Sequence, residues 1–237
     1  MDTGILNRIR QELQENIDEK TRDGAQHFFK EAVKVYGVKT PAVDRIAARY
    51  FRDIRQSGKK EIFALCEELL KTDYCEEAFI AFDWAYRLRG AYEPADFERF
   101  EDWLSRYVNN WAKCDTFCNH SVGAFIERFP GYIERLKKWT GSENRWLRRA
   151  AAVSLIIPAR RGKFLEDVFD IADILLLDED DLVQKGYGWM LKEASRLNQR
   201  QVFDYVVRQK AVMPRTALRY AIEKMPEDMR RSAMKRD

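Results

Sequence analysis

Apolar side chains recur along this chain at three- and four-residue intervals, not in alternation. Ile62, Leu65, Cys66, Leu69 and Leu70 fall at i, i+3, i+4, i+7 and i+8, the positions that line one face of an α-helix. Phe79, Phe82 and Tyr86 follow the same rule and end on a polar Arg89. No stretch carries a convincing two-residue period, so no strand is predicted. The run Ile171-Ala172-Asp173-Ile174-Leu175-Leu176-Leu177 is short enough to suit either element, and its neighbours assign it to a helix.

Breaks interrupt the periodicity every 12 to 20 residues or so, as expected for ordinary helices joined by short turns. They include Gly37 to Pro41, Ser57-Gly58, Thr72-Asp73, Gly90 to Pro94, Phe129-Pro130-Gly131, Thr140-Gly141-Ser142 and Met213-Pro214. Pro41, Pro94, Pro130 and Pro226 stand where a helix would begin, which suits proline's fixed φ and missing N–H. Thr40 and Ser142 are the predicted N-caps. Roughly a dozen helices of this kind stack best as antiparallel pairs. The expected fold is therefore all-α: one continuous domain over residues 1–237, an α-solenoid of HEAT-like antiparallel helix pairs without a linker. The expected period is about 35–45 residues per pair, without a strict consensus. Such a stack curves, and its concave face would be basic.

Composition agrees with a surface-rich helical protein: 46% hydrophobic and 34% charged, with only 11 Gly and 6 Pro to force breaks. No apolar run approaches the roughly 20 residues of a transmembrane helix. With a polar, charged first helix and no signal peptide expected, a cytoplasmic protein is predicted, and Cys66, Cys75, Cys114 and Cys118 are expected to be reduced thiols.

The net charge of +3 is too small to assign a partner, but its distribution is uneven. Residues 143–163 carry six cations, including Arg145, Arg148 and Arg149, against Glu143 alone. Residues 182–224 carry nine cations against three acids. Asp178-Glu179-Asp180-Asp181 lies between the two zones. They suit a polyanion, and they equally suit ordinary solvated helix faces.

Four segments offer chemistry. Trp111 and Asp115 are four apart, on one face if helical. An indole face attracts a cation and a carboxylate stabilises positive charge beside it. The same spacing suits a core tryptophan and a capping aspartate. Arg145, Arg148 and Arg149 lie within five residues; Arg145 and Arg149 share a face from which they are expected to project outward, towards a phosphate backbone or simply into solvent. Lys185, Trp189, Lys192 and Arg196 form one stripe at i, i+4, i+7 and i+11, too cationic for a core and with a tryptophan rare on a plain surface. Gly186 and Gly188 within it cost helix stability, roughly 1 kcal/mol each, which is sensible if something approaches the backbone closely. Finally, Tyr36 to Pro41 combines a turn with a helix start; Lys39, Thr40 and the backbone N–H groups there suit a phosphate, or an ordinary connection. Cys114, Cys118 and His120 cluster without a second half of a zinc site. With only two histidines, a Ser-His-Asp triad has little material. Lys113, two residues from Asp115, points away from it and does not suit a Schiff-base lyase.

Taken in order, His27-Phe28-Phe29-Lys30, Tyr36 to Pro41, Trp111 to Asp115, Trp146 to Ala151 and Lys185 to Glu193 resemble the AlkD-like alkylpurine DNA glycosylases, from about His27 through Tyr220. The resemblance implies a HEAT-like fold that cups duplex DNA and excises purines alkylated at N3 or N7 with no cofactor and no metal. It implies Asp115 as the catalytic carboxylate, Trp111 and Trp189 as aromatic walls beside the damaged nucleotide, and Arg149 as the cation on the neighbouring phosphate. Lys39, Thr40, Arg145, Arg148, Lys185, Lys192 and Arg196 become the expected DNA contacts. The partner is duplex DNA carrying alkylated purines, acted on by a monomer with no membrane involvement. The family often has tyrosine where this chain has Phe28. Two other readings are a non-catalytic helical-repeat DNA-binding protein and a protein-interaction scaffold; the cationic Trp189 stripe favours DNA over the scaffold.

Overall fold

A computed structural model describes residues 3–235. Among the described residues there is no β-strand, only the isolated bridges Ile17–Val38 and Lys34–Tyr74. No helix among them is long and apolar enough to cross a membrane. The chain forms two compact units, Met1–Phe117 and Cys118–Asp237.

In the first unit the predicted face of the Lys59–Leu70 helix is its core face: Ile62, Leu65, Cys66, Leu69 and Leu70 are all buried. The Cys75–Arg87 helix is central, packed on Thr40–Ile54, Lys59–Leu70 and Trp111–Phe117. Trp84 is fully buried on it and donates its indole N–H to the Ala47 carbonyl at 2.9 Å, which removes the cost of burying that donor. Phe82 stacks on Phe117 at 4.5 Å, and Phe63, Phe100 and Trp103 pack edge-on around them. Each such ring contributes about 1.5–3 kcal/mol through burial. This cluster anchors the helix that carries Trp111 and Asp115.

In the second unit the Asp181–Ala194 helix is central, packed on Arg145–Val153, Ile156–Arg160, Leu165–Ile174 and Arg215–Ile222. Its Tyr187 is fully buried and donates its hydroxyl to the Leu176 carbonyl at 3.1 Å. The ambiguous apolar run is helical through Ile174 and then turns; Ile171, Ala172, Leu175 and Leu176 are buried, while Ile174 and Leu177 face solvent.

Helix starts follow the prolines. Pro41 lies in the first turn of Thr40–Ile54, Pro130 opens a 3-10 turn, and Pro226 precedes Glu227–Met234. The two N-cap assignments shift. Lys39 is the N-cap residue of Thr40–Ile54, without a side-chain cap bond, so Thr40 lies just inside the helix. Asn144 caps Arg145–Val153, its side chain accepting the Trp146 N–H at 2.9 Å; the Ser142 hydroxyl instead accepts the Asn144 N–H at 3.1 Å.

Candidate nucleic-acid interface

The first unit holds Lys39, Thr40, Trp111 and Asp115. Trp111 and Asp115 lie on one helix, Trp111–Phe117, a single turn apart and both half-buried. Trp111 is fixed in two ways. Its indole N–H donates to the Phe28 carbonyl at 3.0 Å, and its ring stacks on Phe29, with centroids 5.4 Å apart and 21° between planes. The sequence alone assigns neither partner this role, because a contact across 83 positions leaves no periodic trace. Phe28 itself is 74% exposed. Lys113 points away from Asp115, as its spacing predicts. Its buried ammonium donates to the Asp73 carboxylate at 2.5 Å, the Asp73 carbonyl at 3.0 Å and Asn109 at 3.1 Å. It is thereby committed to structure.

The turn before Thr40 has an anion, and the chain supplies it. The backbone N–H groups of Tyr36, Gly37 and Val38 donate to the buried Glu76 carboxylate at 3.0, 2.8 and 3.1 Å. Three successive amides form an anion-binding concavity. Gly37 makes it possible: its φ of +90° is a conformation that side chains rarely adopt, and an added Cβ would collide with the Arg22 Cβ. These particular N–H groups are therefore not open to a phosphate. Lys39 pairs with Asp18 at 2.7 Å, and the hydrogen bond from Lys39 holds the Asp18 carboxyl down to about 2.

The second unit holds Arg145, Arg148, Arg149, Lys185, Trp189, Lys192 and Arg196. Arg149 does not project outward. It is only 5% exposed and donates to the Leu182 carbonyl on the neighbouring helix. Gly186 lies beside it, and a Cβ there would sit at ordinary contact distance, 3.4 Å from the Arg149 Cγ. Arg145 pairs with Asp180 at 3.1 Å and lies over the Trp146 ring at 4.6 Å. Arg148 pairs with Asp178 at 2.7 Å and donates to the Ser142 and Glu143 carbonyls. The acidic stretch that separates the basic zones in sequence thus neutralises part of the first one.

The Trp189 stripe is paired in the same manner. Lys185 binds Asp181 at 3.1 Å, Lys192 binds Glu223 at 3.1 Å, and Arg196 binds Glu193 at 2.5 Å. Trp189 is half-buried among them. Glu193 itself is buried and also accepts from Arg160 at 2.7 Å. Burial works to raise its pKa, but the bonds from Arg196 and Arg160 outweigh this and hold it below the ordinary value. Gly188 is needed for packing within the protein: a Cβ there would lie 2.7 Å from the Ala217 carbonyl oxygen and 2.8 Å from the Tyr220 Cβ. The close approach inferred from these two glycines is therefore made at Gly188, to the Arg215–Ile222 helix, whereas Gly186 has only ordinary contacts with Arg149 and Val153.

All four cysteines are free and buried, and burial pushes the Cys75 thiol up to about 11 and the Cys66 thiol further. Neither is an activated nucleophile. Among the described residues, no group of three or more His, Cys, Asp or Glu side chains is placed to hold a metal ion.

The sequence pattern of the family described as DNA alkylation repair enzyme matches residues 9–225. The chain belongs to that family. Its fold is similar to those of solved structures, among them a protein described as a predicted DNA alkylation repair enzyme from Enterococcus faecalis, which aligns with a TM-score of 0.79 at 15% identity, covering 90% of this chain and 98% of that one. No curated protein matches the chain. Membership supports a role in the repair of alkylated DNA, and with it a DNA substrate.

Proposed function

We propose that this member of the DNA alkylation repair family is a monofunctional glycosylase that hydrolyses the N-glycosidic bond of N3- or N7-alkylated purines in duplex DNA. The observation that carries the reading is the Trp111–Asp115 pair: a half-buried indole, anchored by Phe28 and Phe29, one helical turn from a half-buried carboxylate.

Alkylation at N3 or N7 leaves the purine formally cationic, so it departs without needing a general acid. The C1′–N9 electron pair leaves with the base and quenches its charge, while the deoxyribose gains oxocarbenium character. Asp115 stabilises that cation and orients the attacking water, whose proton passes to the carboxylate or to solvent as the C1′–O bond forms. The Trp111 indole favours a cationic over a neutral nucleotide by about 0.5–2 kcal/mol. Selectivity for charged lesions then needs no hydrogen bonds to base edges. In the second unit Trp189 supplies a further aromatic surface and Arg149 the phosphate cation. Held by Leu182, Arg149 loses little freedom on binding. Lys39, Thr40, Arg145, Arg148, Lys185, Lys192 and Arg196 are assigned to the DNA backbone. The ion pairs of Lys39 and the second-unit cations would exchange carboxylates for phosphates on binding.

The test is incubation with a duplex containing one N7-methylguanine, scored for alkali-labile abasic sites, with Asp115→Asn alongside. The wild type should release base. The variant should bind the duplex equally and lose on the order of 10²-fold or more in rate. Full activity in Asp115→Asn removes the mechanism. Binding by both without product from this duplex or from N3-methyladenine substrates identifies a non-catalytic DNA-binding protein instead.

A further inference from the structure

On the first unit, a cavity of about 550 Å³ is bounded by the Thr3–Glu15, Thr40–Ile54 and Cys75–Arg87 helices, well apart in sequence from the basic zones of residues 143–163 and 182–224. Arg45, Ala48, Arg49 and Arg52 enter it from the middle helix at i, i+3, i+4 and i+7, which places them on one face. The core residues Val43, Ile46, Ala47 and Tyr50 of that helix fall between them in sequence and are buried. Arg87 and Glu12 complete the lining.

The charges are unequal. Arg49 pairs with Glu12, and Arg87 pairs with Asp83 at 2.5 Å while lying over the Phe51 ring. Arg45 and Arg52 are exposed, and their guanidinium groups have no partner among the described residues. Asp44 and Asp53 are on the same helix and do not line the cavity. Arginines on successive turns of one helix face repel each other, so this arrangement lowers the stability of the empty protein. In the second unit, by contrast, Arg145, Arg148, Lys185, Lys192 and Arg196 each have a carboxylate. The first-unit face leaves two cations uncompensated around the small side chain of Ala48, which keeps the space between them open.

We propose that this cavity is a binding site for a phosphate group, presented either by a nucleic-acid backbone or by a free phosphate compound. A guanidinium offers parallel N–H donors that match two oxygens of one phosphate, and a concave cluster of like charge concentrates the field where that group would sit. Arg45 to Arg52 lie roughly 8–18 Å along the helix from Thr40, at 1.5 Å per residue, so the site is separate from the helix start that carries Lys39. The proposal does not depend on glycosylase chemistry, because none of these residues belongs to the Trp111–Asp115 pair.

The experiment compares the wild type with Arg45→Gln/Arg52→Gln and, independently, Ala48→Glu, which places a carboxylate among the arginines. All three positions are solvent-facing or half-exposed, and circular dichroism confirms that the variants fold. Unmodified 20-base-pair duplex is titrated by fluorescence anisotropy from about 50 to 200 mM salt, and inorganic pyrophosphate by calorimetry. If the ligand is a nucleic-acid backbone, both variants bind duplex more weakly, and the double variant flattens the log–log salt slope by about 1–2, roughly 0.9 for each phosphate no longer neutralised. If it is a free phosphate compound, the wild type binds pyrophosphate saturably, both variants lose that binding, and duplex affinity is unchanged. Variants that match the wild type in both titrations overturn the proposal.

Discussion

The indole N–H of Trp111 donates to the backbone carbonyl of Phe28 at 3.0 Å, joining a 3-10 turn near the start of the chain to the helix that carries Asp115. The bond holds the indole edge in place while Phe29 holds its face. The consequence is testable because the two restraints separate chemically. Trp111→Phe keeps a ring for Phe29 and removes the donor, whereas Trp111→Ala removes both. The first should cost about 0.5–1.5 kcal/mol of stability. In an excision assay on a cationic lesion, Trp111→Ala should fall roughly 2- to 30-fold, the range of one cation–π contact, and Trp111→Phe by less. Equal losses in the two variants would mean that the aromatic face is not what the substrate uses.

Two glycines two residues apart on one helix should respond in opposite directions to the same substitution. At Gly186 an added methyl group finds the Arg149 Cγ at 3.4 Å and a Val153 methyl at 3.6 Å, ordinary contact distances. Gly186→Ala should therefore keep the helix-propensity gain and stabilise the protein by up to about 1 kcal/mol. At Gly188 the methyl meets the Ala217 backbone oxygen at 2.7 Å, and backbone cannot give way cheaply. Gly188→Ala should destabilise by about 1–3 kcal/mol. Thermal unfolding of the pair reads the sign of each change, and shifts in the same direction would contradict this packing.

Glu193 makes the second unit sensitive to acid. Its pKa is held below the ordinary 4.5, with burial opposing and the bonds from Arg196 and Arg160 prevailing. A depressed carboxylate stabilises the fold above its unfolded pKa, and that contribution is lost as pH falls through the folded value. Glu193→Gln should lower stability at pH 7 by about 1–3 kcal/mol. It should also flatten the decline below pH 4.5, so that the two proteins converge. Urea midpoints at pH 7 and pH 3 check this; a constant gap between the two proteins would show that Glu193 is not the titrating group.

Much of the fold is written in local pattern. The three- and four-residue spacing of Ile62 to Leu70 and the prolines at helix starts need only neighbours in sequence to be read. The site is legible to a lesser depth. Trp111 and Asp115 share a face because four residues make a turn, and that needs nothing further. What the arginines do depends on acids some thirty positions away. Asp178 and Asp180 return to Arg148 and Arg145 because the Asp181–Ala194 helix packs on Arg145–Val153, a fact of tertiary structure. Counting charge along the chain separates an acidic stretch from a basic zone that folding puts in contact. Helix periodicity places Arg149 on the surface beside Arg145; the Leu182 carbonyl, on another helix, draws it inward. The unpaired face of Arg45 and Arg52 is hidden in sequence for the converse reason, since Asp44 and Asp53 adjoin them and make the segment look balanced.

Glu76 has one more effect. Because it is covalently part of the chain, it meets the N–H groups of Tyr36, Gly37 and Val38 without the entropic cost of capturing a dissolved anion. The turn leading into Lys39 and Thr40 is consequently held by an anion that the chain itself supplies. A loop built like a receptor for solutes functions here as a latch that shapes the segment carrying Lys39 and Thr40.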